Sequence, residues 1–303
     1  MTKFHGVIPP VVVPLTTDFA VDWPSYTKVL EHLIQSGVHG LFVLGSTSEV
    51  VFHDEATRRR IIEHSVMVSA GRLPVLAGVI DPATDRVISH CKAARDAGAA
   101  AVVVTAPFYT RTSQPETIDH FRYVKDAAGL PVIAYDIPVC VHTKLDRATV
   151  VNLAREGAID GLKDSSGDDG NFRFVLNDLA DMPHIPLMTG SEIVVDSMLA
   201  MGAHGVEPGL GNVDPAGYVR LWNAAQHGDW AAAKAEQTRL CKLFEIVWQG
   251  TPRTSAGASG VGGFKTAMRH LGIIETNIMA RPQRSLNDEE SARVITILKN
   301  HGP

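Results

Sequence analysis

One lysine in this 303-residue chain stands where a surface lysine is not expected. Lys163 follows apolar residues in the stretch AIDGLKDS (158–165), so we predict that it lies near the end of a buried strand. An amine attacks a carbonyl only when neutral, and a lysine with a pKa of ~10.4 is only about 0.04% neutral at pH 7. Full burial lowers a lysine pKa by up to ~3–5 units, which makes a Schiff base feasible. An ion pair with Asp164 or Asp168 is the alternative.

Two other apolar runs end in polar groups that could do chemistry. Gly45, Ser46 and Thr47 offer backbone N–H groups and hydroxyls at a strand-to-loop turn, which suits a carboxylate or a phosphate. An ordinary Ser/Thr turn would explain the same residues. Tyr135 ends the run PVIAYDIP (131–138), where a phenol can transfer protons if a hydrogen bond tunes it. It could equally be a core tyrosine with a satisfied hydroxyl.

The sequence gives little support for a metal site. The 13 histidines form no HxH or HExxH pattern, and His142 and His204, which flank the expected site, lack partner ligands. Cys91, Cys140 and Cys241 are far apart and form no CxxC pair, so neither a zinc site nor a disulfide framework is predicted.

The composition is that of an ordinary globular enzyme, with 45% apolar and 20% charged residues. A net charge of −5 argues against nucleic acid or an anionic membrane as the partner, but not against a small anionic substrate. Neither a signal-peptide pattern nor an apolar span of about 18 residues is present. Together with the separated cysteines, these features predict a cytoplasmic protein.

The candidate residues need a scaffold, and the chain alternates between two patterns. Eight short apolar runs without polar alternation are typical of strands buried on both faces of a parallel sheet. They span residues 7–15, 40–45, 74–79, 100–107, 131–138, 158–165, 186–190 and 202–209. Segments with helical periodicity lie between them. These span residues 24–36, 54–70, 83–97, 114–128, 146–156, 171–180 and 192–201.

Eight such units predict an α/β fold, a (βα)₈ TIM barrel, with its site at the carboxyl ends of the strands. A doubly wound sheet is the alternative, but no GxGxxG follows the first strand. We assign the barrel to residues 1–225 and a helical extension, packed on the barrel or on a partner, to residues 226–303. By composition, residues 250–263 are predicted to be a flexible loop or lid. Later helices are predicted at 215–225, 229–248, 262–272 and 288–300.

Four stretches together resemble one family in their order and spacing. The sequences GSTSE (45–49), PFYTR (107–111), YDIP (135–138) and LKDSSGD (162–168) are similar to those of the dihydrodipicolinate synthase / N-acetylneuraminate lyase family. The resemblance covers about residues 5–300. It implies a (βα)₈ barrel, a class I lyase that needs no metal or organic cofactor, and usually a homotetramer built as a dimer of dimers.

The resemblance also implies a role for each matching residue. Lys163 would condense with the C2 carbonyl of pyruvate or another 2-oxo acid. Ser46 and Thr47 would hold the carboxylate and join a proton relay, and Tyr135 would be the general acid/base. Tyr109 would reach across a tight dimer interface into the active site of the neighbouring subunit. The chemistry is consistent, because an iminium is an electron sink and a held carboxylate places the carbonyl over the amine.

Three residues depart from the family pattern at the expected site. Ser48 replaces the second glycine of GxxGE, which adds a side chain close to the carboxylate site. Cys140 stands where dihydrodipicolinate synthases carry an arginine for the aldehyde substrate's carboxylate, and a thiol cannot replace a bidentate guanidinium. Glu207 either faces the site, to bind a substrate hydroxyl or tune Lys163, or points outward. Gly190, which ends the seventh run, is a further predicted substrate contact.

The sequence therefore predicts a Schiff-base lyase for pyruvate-derived 2-oxo acids, which cleaves or dehydrates a 2-keto-3-deoxy sugar acid or a similar aldol. Dihydrodipicolinate synthase is the second hypothesis because of Cys140, and N-acetylneuraminate lyase is the third, since nothing marks a sialic-acid pocket. A non-catalytic barrel that binds 2-oxo acids would not need Lys163, Tyr135 and Tyr109 together. A metal-dependent aldolase would need a cluster of ligands.

Overall fold

Eight short parallel strands form the centre of the computed structural model, which describes residues 4–303. Every strand residue is buried, which explains why the apolar runs do not alternate with polar residues. The strands are β1 (Gly6–Val7), β2 (Leu41–Val43), β3 (Val75–Gly78), β4 (Ala101–Thr105), β5 (Val132–Asp136), β6 (Gly161–Asp164), β7 (Leu187–Thr189) and β8 (Gly205–Val206).

Hydrogen bonds close this sheet into a barrel. The strands follow one another in the order β1-β8-β7-β6-β5-β4-β3-β2. At the two ends of that order, the N–H of His39 donates to the carbonyl of Val7 at 2.7 Å. Farther along, the N–H of Phe42 donates to Pro9 at 3.1 Å and its carbonyl accepts from Val11 at 2.8 Å. The predicted (βα)₈ barrel is confirmed.

Helices of the outer layer begin close to where the sequence predicts them. Asp54 caps one helix by accepting the N–H of Thr57 at 2.8 Å, and Ser113 forms a capping box with Glu116. The helices between the strands are α1 (Trp23–Gln35), α2 (Glu55–Ser69), α3 (Thr84–Asp96), α4 (Gln114–Ala128), α5 (Pro138–Val141), α6 (Arg147–Arg155), α7 (Asp169–Asp178) and α8 (Val195–Ala200).

Four helices follow β8 and pack against the barrel. One hydrogen bond between the two parts runs from the hydroxyl of Thr276 to the carbonyl of Leu15, at 2.5 Å. None of the helices within residues 4–303 has both the length and the apolar character that crossing a bilayer requires. The four are α9 (Pro215–Gln226), α10 (Trp230–Phe244), α11 (Ala256–His270) and α12 (Asp288–His301).

The flexible loop predicted at residues 250–263 is wrong, because α11 already begins at Ala256. Ser255 caps this helix by accepting the N–H of Ala258 at 3.2 Å. One of its glycines serves close packing: a Cβ on Gly263 would lie 2.6 Å from the carbonyl oxygen of Ile246. Glycine composition indicated flexibility, but these residues form a helix, and a backbone contact requires glycine at position 263.

A buried ion pair joins α11 to the loop after β2. Lys265 is fully buried, and its ammonium donates to the carboxylate of Glu49 and, at 2.8 Å, to the carbonyl of Ile278. The second carboxylate oxygen of Glu49 accepts the N–H of Ala280 at 2.8 Å. Burial lowers the pKa of Lys265, and the Glu49 carboxylate opposes that shift.

Breaking this pair should cost substantial stability. We expect Lys265→Met to lower the free energy of unfolding by about 3–5 kcal/mol, because it leaves the Glu49 carboxylate buried without its cation. Urea titration followed by circular dichroism measures the change. The double variant Lys265→Met/Glu49→Gln should recover part of the loss. A single variant as stable as the unmodified protein would contradict the assigned role.

Candidate active site

Lys163 lies inside the barrel, on β6, between two aromatic rings. It is 2% exposed, and the strand register places it beside Tyr135 of β5 and Met188 of β7. Its Nζ is 4.6 Å from the centre of the Phe42 ring and 4.5 Å from the centre of the Tyr135 ring. The two rings pack edge to face, with centres 6.0 Å apart. These contacts shield the amine from water.

Glu207 faces the site, which settles the orientation that the sequence leaves open. Its Oε2 is 3.3 Å from Nζ of Lys163, and both side chains are buried. The N–H of Glu207 donates to the carbonyl of Thr189 at 2.8 Å, which holds it in register with β7. Oε2 is within ion-pair distance of Nζ but has no hydrogen-bond partner.

Burial and the neighbouring groups shift the pKa of Lys163 in opposite directions. Burial alone lowers the pKa of this lysine, but the phenol of Tyr135 and the carboxylate of Glu207 raise it by more. The net pKa of Lys163 therefore lies above its usual value, and the expectation that burial would depress it is wrong for this site. Burial also raises the pKa of Glu207, and the nearby ammonium opposes that shift.

Gly45 follows β2 and caps a 3₁₀ turn that spans Ser46–Ser48. A Cβ on Gly45 would lie 2.7 Å from the ring of Phe42, so only glycine fits there. Ser46 is exposed and Thr47 is buried, and the hydroxyl of neither donates to another group within residues 4–303. Ser48 instead donates its hydroxyl to the carbonyl of Val11 at 2.6 Å, so the added side chain ties this loop to the segment after β1.

The remaining predicted residues lie around the rim. Tyr109 is 96% exposed, with a left-handed φ of 72°, and does not reach Lys163 of its own chain. Cys140 is exposed on the short helix α5. Gly190 leaves no room for a side chain, since a Cβ would lie 2.0 Å from Oγ of Ser165. Its N–H already donates to the carbonyl of Asp164 at 2.6 Å.

An acidic cluster at the ends of β5 and β6 was not predicted. Asp136 forms an ion pair with Lys144 and accepts the N–H of Leu145 at 3.1 Å. The same ammonium lies 3.9 Å from Asp164, whose other oxygen accepts two hydrogen bonds from Ser166. Burial raises the pKa of Asp136 to about 6 and also raises that of Asp164. The sequence did contain a signal for this cluster, because an aspartate directly follows each of the two predicted catalytic residues, Tyr135 and Lys163.

A further buried carboxylate, Glu192, lies beyond β7. Its Oε1 accepts the N–H of Leu210 at 2.7 Å and the hydroxyl of Tyr218 at 3.4 Å. Burial raises the pKa of Glu192 to about 7. Within residues 4–303, no three His, Cys, Asp or Glu side chains are grouped so that they could hold a metal ion. The barrel mouth, at the carboxyl ends of the strands, therefore contains several carboxylates, and the Lys144 ammonium beside two of them is already paired.

Known proteins resemble this chain over its whole length. Residues 3–301 match the model of the dihydrodipicolinate synthetase family. A 4-hydroxy-tetrahydrodipicolinate synthase from Phenylobacterium zucineum is 30% identical over 99% of this chain and 98% of its own. Another, from Methanothermobacter thermautotrophicus, is 32% identical over 81% of this chain and 88% of its own.

Solved structures also match this fold over nearly the whole chain. The dihydrodipicolinate synthase from Bacteroides thetaiotaomicron superposes with a TM-score of 0.92 at 31% identity, over 99% of each chain. YagE from E. coli K12, solved in complex with pyruvate, gives a TM-score of 0.92 at 28% identity, again over 99% of each chain. The predicted resemblance is confirmed, and with it the barrel that carries C-terminal helices.

Proposed function

This chain belongs to the dihydrodipicolinate synthetase family, and because it is a Schiff-base lyase of that family, we propose that Lys163 forms the imine. The observation that carries the proposal is the buried amine between the rings of Phe42 and Tyr135. Both rings keep water from hydrolysing an imine. The nitrogen retains a positive charge as an iminium, so Glu207, 3.3 Å away, stabilises it as it does the ammonium.

The substrate carboxylate would lie at the turn after β2. The hydroxyls of Ser46 and Thr47 are free to donate, and Gly45 lets the backbone approach the Phe42 ring. Gly190 would contribute space, since its N–H is already bonded. This arrangement fixes the carbonyl carbon over Nζ, which is the proximity that imine formation requires.

Tyr135 would transfer the proton during carbon–carbon or carbon–oxygen bond cleavage, because its phenol lies beside the amine on the neighbouring strand. We further propose a homotetramer built as a dimer of dimers, in which Tyr109 enters the site of a second copy. The support is its 96% exposed ring, held with a left-handed backbone beside the mouth. Sedimentation velocity tests the assembly, and a monomer at working concentration would contradict it.

The mouth favours a substrate whose distal half is uncharged. Cys140 offers no guanidinium, and Lys144 is already paired with Asp136 and near Asp164. A second substrate carboxylate would meet this excess of negative charge. We therefore propose cleavage or dehydration of a 2-keto-3-deoxy sugar acid. Condensation of pyruvate with aspartate semialdehyde is the second candidate, which the names of the two relatives favour.

Borohydride trapping tests the imine directly. We expect reduction in the presence of pyruvate to add one reduced pyruvyl group, which peptide mapping should locate on Lys163. The variant Lys144→Gln, which removes the lysine paired with Asp136, should still form the adduct. An adduct on Lys144, or none on a folded protein given pyruvate and larger 2-oxo acids, would contradict the proposal.

Restoring the missing cation tests the substrate assignment. We expect Cys140→Arg to raise the kcat/KM for aspartate semialdehyde by about 10–100-fold, because a charge-assisted hydrogen bond contributes ~1.5–3 kcal/mol. Val139→Arg, which adds the same charge on the adjacent exposed residue, is the matched control. If the unmodified protein already prefers aspartate semialdehyde to 2-keto-3-deoxy acids, the second candidate is correct.

A further inference from the structure

Glu207 stabilises the charge of the proposed iminium, but that mechanism gives its carboxylate no proton to transfer. Within residues 4–303, its Oε2 is the one fully buried carboxylate oxygen without a hydrogen-bond partner. Neighbouring carboxylates are engaged: Glu192 accepts Leu210, and Asp164 accepts Ser166. This oxygen forms an ion pair with Nζ of Lys163, 3.3 Å away, which is the nitrogen that would carry the substrate.

We propose that Glu207 is the catalytic base and acid at C3 of the bound substrate, an inference that rests on the imine proposed for Lys163. In the iminium, the C3–H bond breaks and its proton passes to Oε2. The electron pair of that bond forms the C2=C3 double bond, and the π pair of C=N moves onto nitrogen. The products are a neutral enamine and a neutral carboxylic acid, so charge and atoms balance.

The position of its oxygen suits Glu207 to this step. Carbon C3 is two bonds from Nζ, so its hydrogens lie among the groups that line the nitrogen. Nζ is 3.3 Å from Oε2 and is also close to the phenol of Tyr135. Because Tyr135 is assigned to the proton on the C4 oxygen, the Glu207 carboxylate is the group left for the C3 proton. A carboxyl group in so dry a place accepts a proton readily, because burial raises the pKa of Glu207.

Proton transfer at C3 serves both reactions proposed for a 2-keto-3-deoxy acid. Dehydration begins with removal of a C3 proton, after which the enamine expels the C4 hydroxyl. Aldol cleavage ends with return of a proton to the C3 carbon of the enamine. A fixed carboxyl group beside the nitrogen can perform either step, while Tyr135 handles the proton on the C4 oxygen.

Deuterium exchange into pyruvate isolates this step from the rest of turnover. In D₂O, the unmodified protein should exchange the methyl hydrogens of pyruvate, which ¹H NMR follows directly. We expect Glu207→Gln to lower the exchange rate about 10²–10⁴-fold, the usual contribution of general acid–base catalysis. The same variant should still give the borohydride adduct on Lys163, because Glu207 raises the pKa of that amine and its removal does not make the amine less available.

Two further variants keep the test decisive. Glu290→Gln, which neutralises a buried carboxylate paired with Arg253 among the C-terminal helices, should exchange within a few-fold of the unmodified protein. Glu207→Asp keeps a carboxylate at greater distance and should give an intermediate rate, which also covers the case in which Glu207→Gln fails to fold.

The outcomes separate the two proposals. Unchanged exchange in a Glu207 variant that forms the adduct would overturn the role at C3. So would a folded Glu207 variant that forms no adduct, because Glu207 would then act in imine formation. Absence of any adduct on the unmodified protein would instead refute the imine on Lys163.

Discussion

The Lys163→Ala variant should have no measurable turnover with any 2-oxo acid and should give no borohydride adduct. Within residues 4–303, no other amine is positioned to replace it: Lys144 is paired with Asp136 at the rim, and Lys265 is held by Glu49. Without the covalent iminium, the electron pair released at C3 has no acceptor, so the barrier to cleavage or dehydration is not lowered. Steady-state assays with a panel of 2-keto-3-deoxy acids measure the loss.

Loss of activity in this variant must be separated from loss of structure. Removing Lys163 leaves Glu207 buried without its cation, which costs about 3–5 kcal/mol in comparable pairs. The double variant Lys163→Met/Glu207→Gln removes both charges and keeps the volume, so it should unfold at a urea concentration close to that of the unmodified protein. It should be equally inactive. Turnover in either folded variant would exclude the Schiff-base mechanism on Lys163.

The Tyr135→Phe variant should lower kcat by about 10²–10⁴-fold while leaving the ring packing intact. The ring contacts Phe42 edge to face and lies under Nζ of Lys163, and phenylalanine keeps both contacts. Only the hydroxyl is removed, so the imine should still form and accumulate. Single-turnover kinetics combined with borohydride trapping distinguish slow bond cleavage from slow imine formation.

A second buried tyrosine provides the matched control. Tyr26 on α1 donates to or accepts from the hydroxyl of Ser65 at 2.8 Å, away from the barrel mouth. Tyr26→Phe should cost about 1 kcal/mol of stability, through the lost hydrogen bond, with little change in kcat. If both tyrosine variants lose activity equally, the effect of Tyr135 is one of packing and not of proton transfer.

Local pattern was sufficient for the fold. Strands buried on both faces must be apolar throughout, and the helices between them must present one apolar face. Both patterns depend on the order of neighbouring residues, so the sequence alone predicts the eight units. Lys163 was found for the same reason, as a charge at the end of an apolar run. The family resemblance added the predictions of the assembly and of the residue roles, which periodicity cannot supply.

Tertiary structure decided what depends on residues far apart in the chain. Whether Glu207 faces Lys163 depends on the register of β8 against β7, and the pKa of Lys163 depends on that contact. Lys265 and Glu49 are 216 residues apart, so no local window pairs them. The glycine-rich composition of α11 suggested a loop, yet Gly263 is needed within a helix because the carbonyl of Ile246 passes close to it. Neighbouring residues determine each helix and strand. How these elements pack determines which way the side chains at the barrel mouth point, which groups they contact and how their pKa values shift.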